Sequence, residues 1–161
     1  VDASVLIDYS QTAPEILTLL SVTGAELIVP SPIFDDEVND LDDDQAGELG
    51  LKLLDPSIAQ MTEAGNRDAA GGGLSFYDWL CSIMARDSED WIVLTNDALL
   101  LRTCKRDGIE TTRGLRLLLD LVTSNHLTAS EAKRVATEMC RINPTLGDKV
   151  PRQFLTALGK L

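Results

Sequence analysis

The apolar run Trp91–Leu94 stops abruptly in Thr95, Asn96 and Asp97, and three other acids stand at comparable breaks in the chain. Asp2 follows Val1 at the end of a first strand-like segment. Glu37 falls in a helical stretch after the apolar run Leu27–Val29. Asp78 lies in the first turn of the helical segment preceding Trp91. Carboxylates drawn into one cleft repel one another, and their pKa values rise until some protonate. A divalent cation removes that penalty, and hard oxygen ligands suit Mg²⁺ or Mn²⁺. An ion so held acidifies water and binds a phosphoryl oxygen.

Each acid also has a purely structural reading. Asp97 can cap the helix that follows it. Asp78 sits at capping-box spacing from Ser75. Asp8 rivals Asp2, but lies two turns further on and is expected on a helix surface. Asp35, Asp36 and Asp40 rival Glu37. The single histidine, His126, follows a helix end and reads as a C-terminal cap, which leaves Ser-His-Asp or Cys-His chemistry without a base. Asp40, Asp42 and Asp44 match alternate ligand positions of a calcium loop. Gln45 stands where that loop needs Gly and Leu51 where it needs Glu, so residues 42–48 are expected as a solvated acidic turn.

The elements that must position these acids alternate. Val1–Ser4 reads as a strand end, and residues 6–20 as an apolar-periodic helix that Pro14 either starts or kinks. Residues 25–31 give a strand stopped by Pro30. A helix follows, with Ser31 as N-cap and Pro32 at its first position. Residues 49–56 form a further strand, and residues 57–67 a helix capped by Ser57. Residues 74–87 form a helix capped by Ser75. Residues 91–95 are almost all apolar, as in a strand buried on both faces. The helix 97–108 closes at Gly108, and 109–112 is a short strand. Helices follow over 113–125, over 127–142 with Thr128 and Glu131 at capping-box spacing, and over 151–161. Alternation of this kind predicts right-handed βαβ units and a parallel sheet covered by helices, with functional groups gathered outside the strands' carboxyl ends.

The ordered set VDASVLIDY, IVPSPIFDDEVND, LSFYDWLCSIMA and WIVLTNDALLLR, spanning roughly residues 1–125, resembles the PIN-domain family. The likeness is greatest to its VapC-like toxins and related predicted nucleases. It implies a three-layer α/β/α sandwich with a central parallel sheet, formed by residues 1–125, and a C-terminal helical extension, 126–161, packed on the same domain. It implies that Asp2, Glu37, Asp78 and Asp97 bind metal, and it favours Glu37 over its neighbours. Ser4 becomes a polar neighbour of Asp2, while Thr95 and Asn96 shape the turn presenting Asp97. The implied activity is Mg²⁺- or Mn²⁺-dependent endoribonuclease cleavage, by in-line attack of an activated water. The products carry 5′-phosphate and 3′-hydroxyl ends. A toxin would have a cognate antitoxin, whose basic segment could enter the acidic cleft. Homodimers occur in the family, and the apolar helix 115–122 is a candidate contributor. The strand before the first Asp is usually longer than the Val1 present here.

Charge is distributed unevenly. The net charge is −12, yet residues 1–99 hold 20 acids against 3 bases, and residues 100–161 hold 11 bases against 6 acids. An acidic centre beside a basic rim is therefore expected. Arg102, Lys105, Arg106, Arg113 and Arg116 are the candidate phosphate contacts for RNA. The competing reading of these five is a solvated helix face. Aromatic residues make up only 4% of the chain, too few to suggest a base-stacking platform. The three widely spaced cysteines lack metal-site or disulfide patterning and read as core residues in a reducing, cytoplasmic setting. No apolar run is long enough for a bilayer, and no secretory leader pattern opens the chain. Two other function classes compete. One is a catalytically inactive PIN-like interaction module. The other is a phospho-acceptor receiver, which wants an acidic pair after its first strand and a late Lys, where this chain has only Arg113.

Overall fold

The computed structural model describes residues 1–147 and 149–161. Among these, helices dominate an α/β arrangement: ten α-helices, one 3-10 turn and two short parallel sheets. In chain order the elements are α1 (Ala3–Thr12), α2 (Pro14–Val22), β1 (Leu27–Pro30), α3 (Ser31–Glu37), α4 (Asp43–Glu48), β2 (Leu51–Leu54) and α5 (Ile58–Ala69). Then come α6 (Phe76–Arg86), β3 (Val93–Leu94), α7 (Ala98–Arg106), β4 (Thr111–Thr112), α8 (Gly114–Thr123), α9 (Ala129–Ile142) and α10 (Lys149–Leu158).

β1 pairs with β2 in parallel, Leu27 opposite Leu51 and Pro30 opposite Leu54. β3 pairs with β4 in parallel, Val93 opposite Thr111. The expected single sheet is thus present as two pairs. Val1 and Asp2 lie between them: the Val1 amine donates to the Ile28 carbonyl, and the Asp2 N–H donates to the Leu94 carbonyl at 3.0 Å. β3 is shorter than its apolar run predicts. Only Val93 and Leu94 pair with β4, and Trp91 is half-buried and Ile92 exposed rather than buried on both faces.

Local signals explain most helix starts. Ser57, Ser75 and Thr128 each accept a hydrogen bond from the backbone of the residue three positions on, whose side chain returns the bond. Pro14 starts α2, ending a first helix at Thr12 where one continuous helix was an option. Three expectations are overturned. The first helix begins at Ala3, inside the segment read as a strand end, because Asp2 already sits at its cap position. Pro30, not Ser31, occupies the cap position of α3, because the helix begins one residue early with Pro32 inside its first turn. Residues 43–48 form α4 rather than a loose turn. Asp42 and Gln45 make a reciprocal capping box, which recruits the acids Asp43 and Asp44 to the favourable end of the helix dipole.

One core cluster is built on Val5, Leu6, Tyr9, Leu17, Val29, Ile33, Leu115 and Leu118, and includes Val135 and Met139 of α9 and Phe154 of α10. A second lies around Leu80, Ile83, Met84, Val93 and Leu100. Each fully buried Leu or Ile contributes roughly 1.5–3 kcal/mol relative to exposure. Leu115, Leu118, Leu119 and Leu121 of α8 are all buried inside the chain. The apolar face of α8 is therefore largely spent on the protein's own core, with Leu117 and Val122 half-buried at its margin. Cys81 and Cys104 are buried, and burial pushes their thiols up to about 12 and about 11, so both stay protonated. No described helix is long and apolar enough to cross a membrane.

Candidate metal and nucleic-acid site

Asp2 is extended and immediately precedes α1, so its carboxylate could have capped that helix. It makes no capping bond. Its Oδ2 instead accepts hydrogen bonds from Ser4 Oγ at 2.6 Å and Thr95 Oγ1 at 2.7 Å. Both expected neighbours of Asp2 and Asp97, Ser4 and Thr95, are thus engaged. Asp2 is only 8% exposed and Thr95 is 0% exposed. The Thr95 hydroxyl also accepts the Asp97 N–H at 3.0 Å, so one buried oxygen ties the first acid to the turn carrying the last.

Asp97 Oδ1 caps α7 by accepting the Leu100 N–H at 2.6 Å. Asp78 Oδ2 accepts from the Ser75 N–H at 2.8 Å and its hydroxyl at 2.9 Å. The capping readings of both acids hold, but they use one oxygen of each. No hydrogen bond from a described residue reaches Asp2 Oδ1, Asp78 Oδ1 or Asp97 Oδ2.

The acids feel one another. Burial pushes the Asp78 carboxyl above its usual range, the Ser75 bonds pull it down, and the charges of Asp2 and Asp97 push it further up. Glu37 is raised chiefly by burial, then by Asp2, Asp78 and Asp36. Asp78 thus feels Asp2 and Asp97, and Glu37 feels Asp2 and Asp78, whereas no such influence links Glu37 to Asp97. At the rim, the Tyr77 hydroxyl donates to Asp36 and fastens the end of α3, which carries Glu37, to the start of α6, which carries Asp78.

The donor set is entirely carboxylate oxygen, which fits Mg²⁺ or Mn²⁺ and excludes a soft-ligand site. Among the described residues, no three His, Cys, Asp or Glu side chains already stand together as a metal-holding group. Asp78 and Asp97 are turned partly to their own helix caps.

The five candidate RNA contacts separate. Arg102, Lys105 and Arg113 line one groove of about 510 Å³ between α7 and β4, beside Ala98 at the Asp97 turn. Arg113 also donates to the Asn96 carbonyl at 3.5 Å. Arg106 is engaged by Asp107 at 2.7 Å, in a separate depression with Arg67 and Arg86. Arg116 is paired with Asp120 at 3.0 Å on α8. The acidic calcium-loop candidate is accounted for by α4 and its cap.

Sequence reasoning misplaced Asp8. It is 5% exposed, not at the helix surface. Its Oδ2 accepts Asn96 Nδ2 at 2.9 Å and its Oδ1 accepts Asn143 Nδ2 at 2.6 Å. Asn96 Oδ1 in turn accepts the Gly114 N–H at 3.1 Å. Asp8 shares the inward face of α1 with Val5 and Tyr9, and that helical spacing was the available signal. Asn143 carried none.

Thr95→Val keeps the shape of the buried hydroxyl site and removes both of its hydrogen bonds. It leaves the Asp2 carboxylate and the Asp97 amide each short of a partner, which costs about 1–3 kcal/mol. The expected result is a lowered denaturation midpoint with an unchanged denaturant slope; an unaltered midpoint would show that this hydroxyl does not tie the site together. No family model, curated protein or solved structure matches this chain.

Proposed function

We propose that this chain is a metal-dependent endoribonuclease of the PIN-domain type. The observation that carries the reading is the Thr95 hydroxyl joined to both Asp2 and the Asp97 backbone, in a site where Glu37 and Asp78 are each raised first by burial and then by neighbouring acids. Partly buried acids whose carboxyls are raised by burial and then by one another are candidates for function. In the same reading, Val1 and Asp2 act as the middle strand of one parallel sheet, with β1 and β3 on either side. The acids then lie outside its carboxyl edge.

Asp2, Glu37, Asp78 and Asp97 would hold Mg²⁺ or Mn²⁺. The ion would supply charge, offsetting the phosphoryl group's negative charge and acidifying water. Glu37, whose carboxyl is raised by burial and then by neighbouring acids, would accept the water's proton as oxygen attacks phosphorus. The new bond joins water oxygen to phosphorus, and the bond to the 3′ oxygen breaks. The leaving oxygen takes a proton, which gives 5′-phosphate and 3′-hydroxyl ends. Thr95 and Ser4 orient Asp2 throughout. Arg102, Lys105 and Arg113 hold flanking phosphates in their groove.

The test is incubation of the purified chain with end-labelled RNA, with and without Mn²⁺. Cleavage that needs Mn²⁺ supports the reading. No cleavage, together with no thermal shift on adding Mn²⁺, favours the non-catalytic module. A phosphate-contacting role for the groove has its own signature. Arg102→Ala should raise the KM for RNA and reduce the slope of log KM against log salt by about 0.7–0.9. An unchanged slope would place the RNA elsewhere.

A further inference from the structure

The hydrogen bonds around Asp8 join three parts of the chain that are far apart in sequence. Asn143, at the C-terminal end of α9, donates to one oxygen of Asp8 and Asn96 donates to the other. Asn96 is the residue before Asp97, and its own carbonyl oxygen on the side chain receives the Gly114 N–H at the start of α8. The Tyr9 hydroxyl, next to Asp8 on α1, donates to the Gly114 carbonyl at 2.7 Å. There is little room for slack: a Cβ on Gly114 would meet Asn96 Nδ2 and Val5 Cγ1 at 3.3 Å each. Each partner is matched in kind, since a carboxylate offers only acceptors and the two facing amides offer NH₂ donors.

We propose that Asp8 is a positioning residue which, braced by Asn143, holds the Asn96 side chain and so sets the orientation of the Asp97 turn. The helical segment after residue 125 is thereby part of the working site without touching substrate. The catalytic part of this inference rests on the nuclease reading above. The mechanical part stands on the hydrogen bonds alone. Burial raises the Asp8 carboxyl, and the two asparagine amides counter that rise, as expected of a charge kept inside for its hydrogen bonds.

The decisive test is a reciprocal exchange in the full chain. Asp8→Asn sets an amide NH₂ against one of the two asparagine NH₂ groups, so one donor loses its acceptor. Adding Asn96→Asp restores every pairing: Asn143 donates to the new amide oxygen, the new amide donates to the new carboxylate, and the Gly114 N–H keeps an acceptor. Asp8→Asn should lower kcat for Mn²⁺-dependent RNA cleavage by about ten- to a hundredfold while KM stays within about threefold. Hydrogen exchange should quicken at the Asp97 and Gly114 amides, and not in the core of α8. The double variant should recover both. Unchanged kcat and exchange in Asp8→Asn would overturn the proposal. So would a double variant that recovers the exchange pattern but not kcat.

If Asp8→Asn does not fold, Asn143→Ala serves instead. Asn143 has interactions beyond Asp8, so only the exchange at Asp97 and Gly114 is read, and slow exchange there counts against the bracing role. Should the unaltered chain fail to cleave RNA at all, the nuclease reading falls. The exchange rates in Asp8→Asn then decide the positioning role on their own, faster supporting it and unchanged rejecting it.

Discussion

Asp97→Asn should cut Mn²⁺-dependent RNA cleavage by on the order of a hundredfold or more while leaving the fold in place. In the proposed reading, Asp97 serves on two oxygens, one capping its helix and the other facing the ion. Oδ1 caps α7 through the Leu100 N–H, and asparagine caps a helix about as well as aspartate. What the substitution removes is the negative charge, at a cost of about 0.3–1 kcal/mol in helix-dipole energy. Melting should therefore move by no more than a few degrees, whereas a ligand of the proposed ion loses its charge. Asp97→Ala is the contrasting control, because it removes cap and charge together and should lose stability as well. Wild-type cleavage by Asp97→Asn in the presence of Mn²⁺ would remove Asp97 from the mechanism.

Glu37→Gln carries the second large effect, and its two readouts run in opposite directions. Burial first, then Asp2, Asp78 and Asp36, raises the Glu37 carboxyl. A carboxyl raised in the folded state binds its proton more tightly folded than unfolded. Its stabilising contribution is complete below the ordinary carboxylate pKa and is lost as pH rises through the folded value. At neutral pH the ionised side chain is therefore a liability, and the neutral amide should raise Tm slightly. The advantage should shrink as pH falls through the carboxylate range, where wild-type Glu37 becomes neutral too. Cleavage should nevertheless be lost, and so should most of the Tm increase that Mn²⁺ gives the wild type through preferential binding to the folded state. A destabilised Glu37→Gln, or one with an intact Mn²⁺ shift, would place Glu37 outside the site.

What the sequence revealed follows from the range of each interaction. The capping boxes at Ser57, Ser75 and Thr128 are contained in four residues, and all three helices start where those residues direct. The box at Asp42 and Gln45 is equally local, but it sits in a run of acids that reads as solvated loop, and charge density hid the cap. The strands were harder. Apolar content marks Trp91–Leu94 as buried, yet only Val93 and Leu94 find a partner, because pairing depends on where β4 lies. The link between Asp2 and the Asp97 turn could be anticipated from strand ends alone. The hydroxyl that makes it belongs to Thr95, which nothing in the local spacing marks as a partner of Asp2. Asp8 and Asn143 show the limit. An acid on an apolar helix face needs partners, and nothing local names an asparagine far along the chain as one.

The seating of Asp2 has a consequence for biosynthesis. Its carboxylate is fastened by Thr95, 93 positions later, and its N–H by the Leu94 carbonyl. A ribosome emits the first acid long before the residues that anchor it, so the cleft cannot form while the chain is half made. Closing so long a loop is entropically slow and comes late in folding.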